Sequence, residues 1–201
     1  MPPDARPVSR EIDPKLDQYE VLLRKWQPKI NLVSPASLPD TRVRHFEDSL
    51  QLAPYIPPSA HTLYDLGSGA GFPGLVLAMA RPDMDVHLFE VDQRKSAFLQ
   101  TVSRETSTPV TVHVSRVEAV AMPAPDVITA RALAALSALL KLTERWWEEN
   151  PDCTLILPKG AAYADEVTQA QTLYEFDVAI HPSSTDPAAR ILVLRHVKKR
   201  L

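Results

Sequence analysis

The chain has little cysteine, little glycine and no excess of positive charge. Its 201 residues include one cysteine, Cys153, which excludes an internal disulfide framework and any cysteine-rich zinc site. Leu155, Ile156 and Leu157 beside it mark an inert thiol next to a strand, and no metal is indicated. No apolar run approaches the roughly 20 residues that span a bilayer. Residues 1–10 carry prolines and charges where a secretory leader needs an apolar stretch. The expectation is a cytoplasmic protein, monomeric and without a membrane partner. Lys and Arg number 22 against 25 Asp and Glu, so the molecule is not the basic body that often announces a nucleic-acid binder, although a basic face can exist on an acidic protein.

What is present suits one domain, since 45% apolar residues over this length can bury a sizeable core. The 19 prolines fall between apolar segments and punctuate loops. The scarce glycine is concentrated: residues 65–74, Asp-Leu-Gly-Ser-Gly-Ala-Gly-Phe-Pro-Gly, hold four of the five. Residues 62–66 before them read as a short buried strand, and residues 75–80 after them as a helix closed by Arg81 and Pro82. Glycine suits such a turn because it takes positive φ and lets a ligand touch the backbone. Gly67, Gly69 and Gly71 at alternate positions predict a backbone groove at the carboxyl end of a strand, the usual place for a nucleotide-like ligand in an open α/β sheet. A dinucleotide site prefers G-x-G-x-x-G; here the third glycine comes one residue early and Asp65 precedes the first. That pattern resembles motif I of the S-adenosylmethionine-dependent methyltransferases.

Residues 1 to about 12 read as a frayed arm. Asp13 then offers an N-cap with Pro14 at the first helical position, and Leu16, Tyr19, Leu23, Trp26 and Ile30 recur at helical spacing up to Pro28. A second helix is expected from about 40 to 55, with Val43, Phe46, Leu50 and Ala53 on its inner stripe and Arg42, Arg44, His45, Glu47 and Asp48 mostly off it. These two form an N-terminal helical cap (1–58) on a core (59–201), one structural domain together. Strands are expected at 62–66, 85–90, 110–114, 126–130 and 154–158, with helices at 73–81, 93–104, 134–149 and 162–174. That alternation is the sign of a mostly parallel α/β sheet. Residues 176–181 and 190–197 then form two strands joined by a link short enough only for antiparallel neighbours. A parallel sheet ending in an antiparallel C-terminal hairpin resembles the seven-stranded, Rossmann-like methyltransferase fold.

Glu90, roughly 20 residues past the glycine turn, stands where an acid accepts hydrogen bonds from a ribose diol. Val117 and Glu118 follow the third strand, where an apolar side chain packs on adenine and a carboxylate meets its amino group. An exposed Glu is equally ordinary there on local sequence alone. Arg131, directly after the fourth strand, points into the same crevice.

Asp65 to Gly74 further resembles the D-[VL]-G-[ST]-G-x-G-[LF]-P-G signature of the bacterial 16S rRNA guanine-N7 methyltransferase family, also called the glucose-inhibited division protein B family. Phe72-Pro73-Gly74 is the distinguishing part. The likeness continues through Trp26 with Asn31-Leu32-Val33, His45-Phe46-Glu47-Asp48-Ser49-Leu50, Arg116-Val117-Glu118, Arg131-Ala132-Leu133-Ala134 and Pro158-Lys159-Gly160. It departs at Val117 and Pro158, where the family commonly has Ala and Leu. The resemblance implies that Gly67, Phe72, Val117, Glu118 and Arg131 contact S-adenosylmethionine, that the substrate is 16S rRNA or the small ribosomal subunit, and that the acceptor is N7 of a guanine. No catalytic acid or base is expected, because guanine N7 already carries an exposed lone pair. RNA contacts are expected from Arg42, Arg44 and His45, from Lys159, and from Arg190, Arg195, Lys198, Lys199 and Arg200. The resemblance ranks His45, Lys159 and Arg190 first. The alternatives are a small-molecule methyltransferase with a closed apolar acceptor pocket, a nucleotide-binding module without chemistry, and a dinucleotide oxidoreductase.

Overall fold

In β1 (Thr62–Leu66), Leu63 turns to one hydrophobic cluster while Tyr64 and Leu66 turn to another, the two-residue period of a strand. Both faces are therefore covered, as a parallel sheet requires. The computed structural model describes residues 12–200, so the expected arm at the N-terminus lies, but for Ile12, outside them. β2 (Asp85–Phe89), β3 (Thr111–His113), β4 (Val127–Ala130) and β5 (Thr154–Lys159) run parallel to β1, while β7 (Arg190–Lys199) is antiparallel to both β5 and β6 (Tyr174–Pro182). The order is β3-β2-β1-β4-β5-β7-β6, the expected seven strands.

One face is covered by α1 (Asp13–Trp26), α3 (Gly74–Ala80) and α4 (Gln93–Glu105). The other is covered by α5 (Leu136–Leu142), α6 (Glu144–Glu149) and α7 (Tyr163–Gln171). The chain leaves β1 toward the first face and β4 toward the second. The carboxyl ends of β1 and β4 therefore flank a topological switch point, where open α/β sheets place their ligands.

Several local expectations are corrected. Ile12, not Asp13, is the residue that flanks α1, with Asp13 and Pro14 its first two members; burial of Ile12 starts the helix one residue early. The expected helix over 40–55 is three pieces: a π turn (Arg42–Glu47), the short α2 (Asp48–Leu50) and a 3₁₀ turn (Ala53–Tyr55). The wide π turn shifts the helical phase, so His45 and Phe46 both point inward while Val43 is exposed. The expected helix over 134–149 breaks at Thr143, whose hydroxyl donates to the carbonyl of Leu139 at 2.9 Å and so competes with the backbone ladder.

Candidate cofactor crevice

Gly67, Gly69 and Gly71 all have positive φ (66°, 56° and 93°), the conformation the glycine spacing predicts. They differ in what lies beside them. A Cβ on Gly67 would strike the side chain of Leu133, and one on Gly71 would strike Tyr19 and Leu99, whereas one on Gly69 would meet only the Gly67 carbonyl oxygen at 3.8 Å. Gly69 thus faces open space. Gly74 is constrained differently: a Cβ there would lie 2.6 Å from Cβ of Asp65 and 2.5 Å from Leu88, so glycine lets α3 close onto the sheet.

Two buried acids hold this loop. Glu90 accepts from the Gly69 amide through Oε2 and from the Asp92 amide through Oε1, each at 2.8 Å. A carboxylate offers about four acceptor sites, so the two amides leave Glu90 with acceptor capacity to spare. Asp92 caps α4 by accepting from the amides of Arg94 and Lys95, and these bonds hold its carboxyl below the usual range. Asp65 is wholly buried. Its Oδ1 accepts from the Thr129 hydroxyl at 2.9 Å, and among the described residues none closes a hydrogen bond on Oδ2. Burial drives its pKa up to about 6, offset in part by the nearby Ser68 hydroxyl, Thr129 hydroxyl and Gly74 amide and by the charge of Arg131.

From the cap, the buried Tyr19 hydroxyl donates to the carbonyl of Ala70, and its ring stacks on Phe72 at 5.4 Å. His45 stacks on Phe72 at 4.9 Å, and the Arg131 guanidinium lies 5.1 Å from the same ring. The Phe72 side chain is therefore 3% exposed, a support of the loop and not part of its open surface. Arg131 donates to Asp48 Oδ2 at 3.1 Å and to His45 Nδ1 at 3.3 Å. His45 and Asp48, three residues apart, are thus bridged by Arg131. The other Asp48 oxygen accepts from the Thr185 hydroxyl at 2.7 Å, which fastens the link between β6 and β7 to the same hub.

Beyond Arg131, Ala132 takes φ 53°, a left-handed conformation that costs a non-glycine residue about 1–2 kcal/mol. The segment is held from its far end. The Lys159 ammonium donates to the Ala134 carbonyl and to Glu166 Oε2, both at 2.8 Å, and Glu166 also accepts from the Leu136 amide. Leu133, 42% exposed, forms a lip against Gly67. On the opposite wall, the 3₁₀ turn Val117–Ala119 buries Val117 and exposes Glu118. Arg145 of α6 pins it by donating to the Val117 carbonyl at 2.7 Å.

The structure thus gathers Gly67, Gly69, Glu90, Val117, Glu118 and Arg131 around the ends of β1 to β4. It does not gather all the expected RNA contacts. Arg190 pairs in register with Lys159 at the carboxyl rim, while Lys198 and Lys199 pair with the start of β6 at the opposite edge of the sheet. Antiparallel β7 spans the sheet and cannot put both its ends at one rim, so Lys198, Lys199 and Arg200 lie away from the rim that carries Arg190. His45 is buried, Arg42 is engaged by Asp17 and Glu20, and the Lys159 side chain is 8% exposed in its ion pair. Tyr19 and Thr129 had no sequence signal as site residues, since each acts through a contact distant in sequence, and an alanine at 132 gives no sign of a positive φ.

Residues 12–190 match the family described as rRNA small subunit methyltransferase G (GidB). The chain is 48% identical to a ribosomal RNA small subunit methyltransferase G from Rhodospirillum centenum over 96% of its own length and 88% of that protein. It is 49% identical to one from Paramagnetospirillum magneticum over 96% and 92%. Among solved structures it resembles a putative O-methyltransferase from Klebsiella pneumoniae (TM-score 0.61, 13% identity, 92% of this chain and 90% of that one). It also resembles the magnesium protoporphyrin IX methyltransferase of Synechocystis with bound SAM (TM-score 0.59, 14% identity, 88% and 97%). At these identities the structural likeness speaks for the fold.

Proposed function

The chain belongs to the rRNA small subunit methyltransferase G family, and from that membership we propose that it transfers a methyl group from S-adenosylmethionine to N7 of a guanine in 16S rRNA. The observation that carries the assignment to this crevice is Gly69, the loop glycine whose missing side chain leaves open space. The residues fit the cofactor: bare backbone at Gly67 and Gly69 admits a close-lying ligand, Glu90 keeps acceptor capacity for a ribose diol, and Val117 with Glu118 offers an apolar face and a carboxylate for adenine. S-adenosylmethionine supplies an electrophilic methyl on a sulfonium.

The chain's own contribution is placement. Guanine N7 presents a lone pair, so no proton has to leave before attack and no general base is required. Asp65, with its pKa near 6, is sealed beneath the loop at 0% exposure, so it shapes the loop without reaching a substrate. His45 is neutral at physiological pH, its pKa lowered to about 4 by burial and by Arg131; it stacks on Phe72. The hub of Arg131, His45 and Asp48 fixes the rim over which an unstacked base enters, and alignment of reacting atoms at roughly 3–3.5 Å is what such rigidity contributes to rate.

The test is to map N7-methylguanosine in small-subunit rRNA from cells with and without this gene, and to restore it with purified protein and S-adenosylmethionine. Loss at one guanine that the protein restores is expected. An unchanged RNA together with turnover of a small-molecule acceptor would overturn the reading.

A further inference from the structure

Three of the cations expected to meet RNA are occupied: Arg42 by Asp17 and Glu20, Lys159 by Glu166, Lys199 by Glu144. A second cationic surface lies elsewhere, in a groove of about 530 Å³ between α1 and α4. Its floor is Val21, Leu22 and Trp26, and its rim carries Lys25, Lys29 and Arg104. Val21 is 59% exposed, and Trp26 is held edge-on against Phe98 at 5.7 Å. Among the described residues Lys25 and Lys29 have no ion-pair partner. Two of the acids of α1 are taken by arginines outside the groove lining: Glu20 by Arg24 and Arg42, and Asp17 by Arg42. Of the residues lining the groove only Glu105 is acidic, and it pairs with its neighbour Arg104.

The groove also has a direction. α4 begins directly after Glu90 and Asp92, so its first turn stands at the rim of the crevice. Arg94 lies about two helical turns before Thr101 on the same stripe, and its side chain is 71% exposed. Arg94 and Arg104, each ion-paired with a neighbouring acid, thus mark the course along α4 from the crevice rim to the groove where Lys25 and Lys29 stand unpaired among the described residues.

On the premise that RNA is the substrate, we propose that the α1–α4 groove is a docking track for an unpaired stretch of the substrate RNA flanking the target guanine. Lys25 and Lys29 meet phosphates, while Val21 and the exposed part of Trp26 receive an unstacked base. Charge selects the occupant: an unpaired strand brings phosphates for the rim and flat apolar faces for the floor. Docking there anchors the strand away from the reacting centre, so it governs RNA affinity and not cofactor affinity.

Lys25→Ala/Lys29→Ala and Lys25→Glu/Lys29→Glu in the full chain test this, with Arg24→Ala on the opposite flank of α1 as control. The measurements are KM for the RNA or subunit that the wild type methylates, its salt dependence, and calorimetric binding of S-adenosylhomocysteine. The alanine pair should lower the slope of log affinity against log salt by about 1.4, at ~0.7 per single-strand phosphate contact. The glutamate pair should raise KM for RNA at least about tenfold, with kcat and S-adenosylhomocysteine binding unchanged. An unaltered KM and slope in both pairs, beside a steep wild-type slope, would overturn the track and leave the groove to a protein partner. An equal effect in Arg24→Ala would reduce it to net charge. A wild type that methylates no RNA would instead overturn the premise.

Discussion

Arg131 Nη2 lies 3.3 Å from Nδ1 of His45, and because a guanidinium can only donate, the contact assigns the His45 proton to Nε2, which faces the Ser37 hydroxyl at 3.0 Å. One residue from the end of β4 thereby sets the tautomer of a residue in the cap. The imidazole is held neutral: burial first, then Arg131, lowers its pKa from 6.5 to about 4.

The pH consequence has a definite sign. As pH falls from 6.5 toward about 4, unfolded chains protonate His45 while native ones refuse the proton, so stability is lost across that window. His45→Gln should remove this part of the pH dependence of the melting temperature. Arg131→Ala should raise the His45 pKa, read by titrating its imidazole by NMR.

Asp65 has the opposite sign. Its native pKa of about 6 lies above the unfolded 3.8, so the unfolded chain ionises first and stability is lost as pH rises through that interval. The loss is on the order of 3 kcal/mol at neutral pH, at about 1.4 kcal/mol per unit. Asp65→Asn should therefore abolish this loss, so that between pH 4 and 6 stability rises with pH as His45 dictates, and leave the protein no less stable at pH 8, provided the amide keeps the Thr129 bond. A variant whose curve between pH 4 and 6 has the same slope as the wild type's would contradict the assignment.

Gly69→Val would place a branched side chain in open space at φ 56°. The strain of about 1–2 kcal/mol should lower the melting temperature by only a few degrees. The rise in melting temperature that S-adenosylhomocysteine gives the wild type should vanish, as linkage requires of a ligand that no longer binds the native state. A normal rise would place the cofactor elsewhere.

Glu90→Gln keeps the shape but has one acceptor oxygen for two amides, those of Gly69 and Asp92. A hydrogen bond to a charged group is worth about 1.5–3 kcal/mol, so S-adenosylhomocysteine should bind roughly 10–100-fold more weakly by calorimetry.

Lys159 and Arg44 should separate structure from RNA contact. Lys159→Ala removes the donor of the Ala134 carbonyl and leaves Glu166 with the Leu136 amide alone, at a cost of about 1–3 kcal/mol, and should lower the melting temperature while leaving the salt dependence of RNA binding intact. Arg44 is exposed, so Arg44→Ala should flatten that dependence and spare the melting temperature. The reverse pattern would put Lys159 on the RNA.

The sequence by itself determined the strand–turn–helix around Gly67, Gly69 and Gly71, because positive φ is a local demand that glycine meets. It also determined the seven strands, since two-residue and 3.6-residue apolar periods are carried by the chain directly. Only the tertiary structure decided what depends on a neighbour brought from far along the chain. The π turn exists because His45 and Phe46 must both meet Phe72, which no local period announces. Lys159 turns inward because Glu166 and the 131–136 segment converge on it, and Lys198 and Lys199 lie far from the crevice because β7 runs antiparallel. A cation's type is written in the sequence; whether its charge is already neutralised depends on packing.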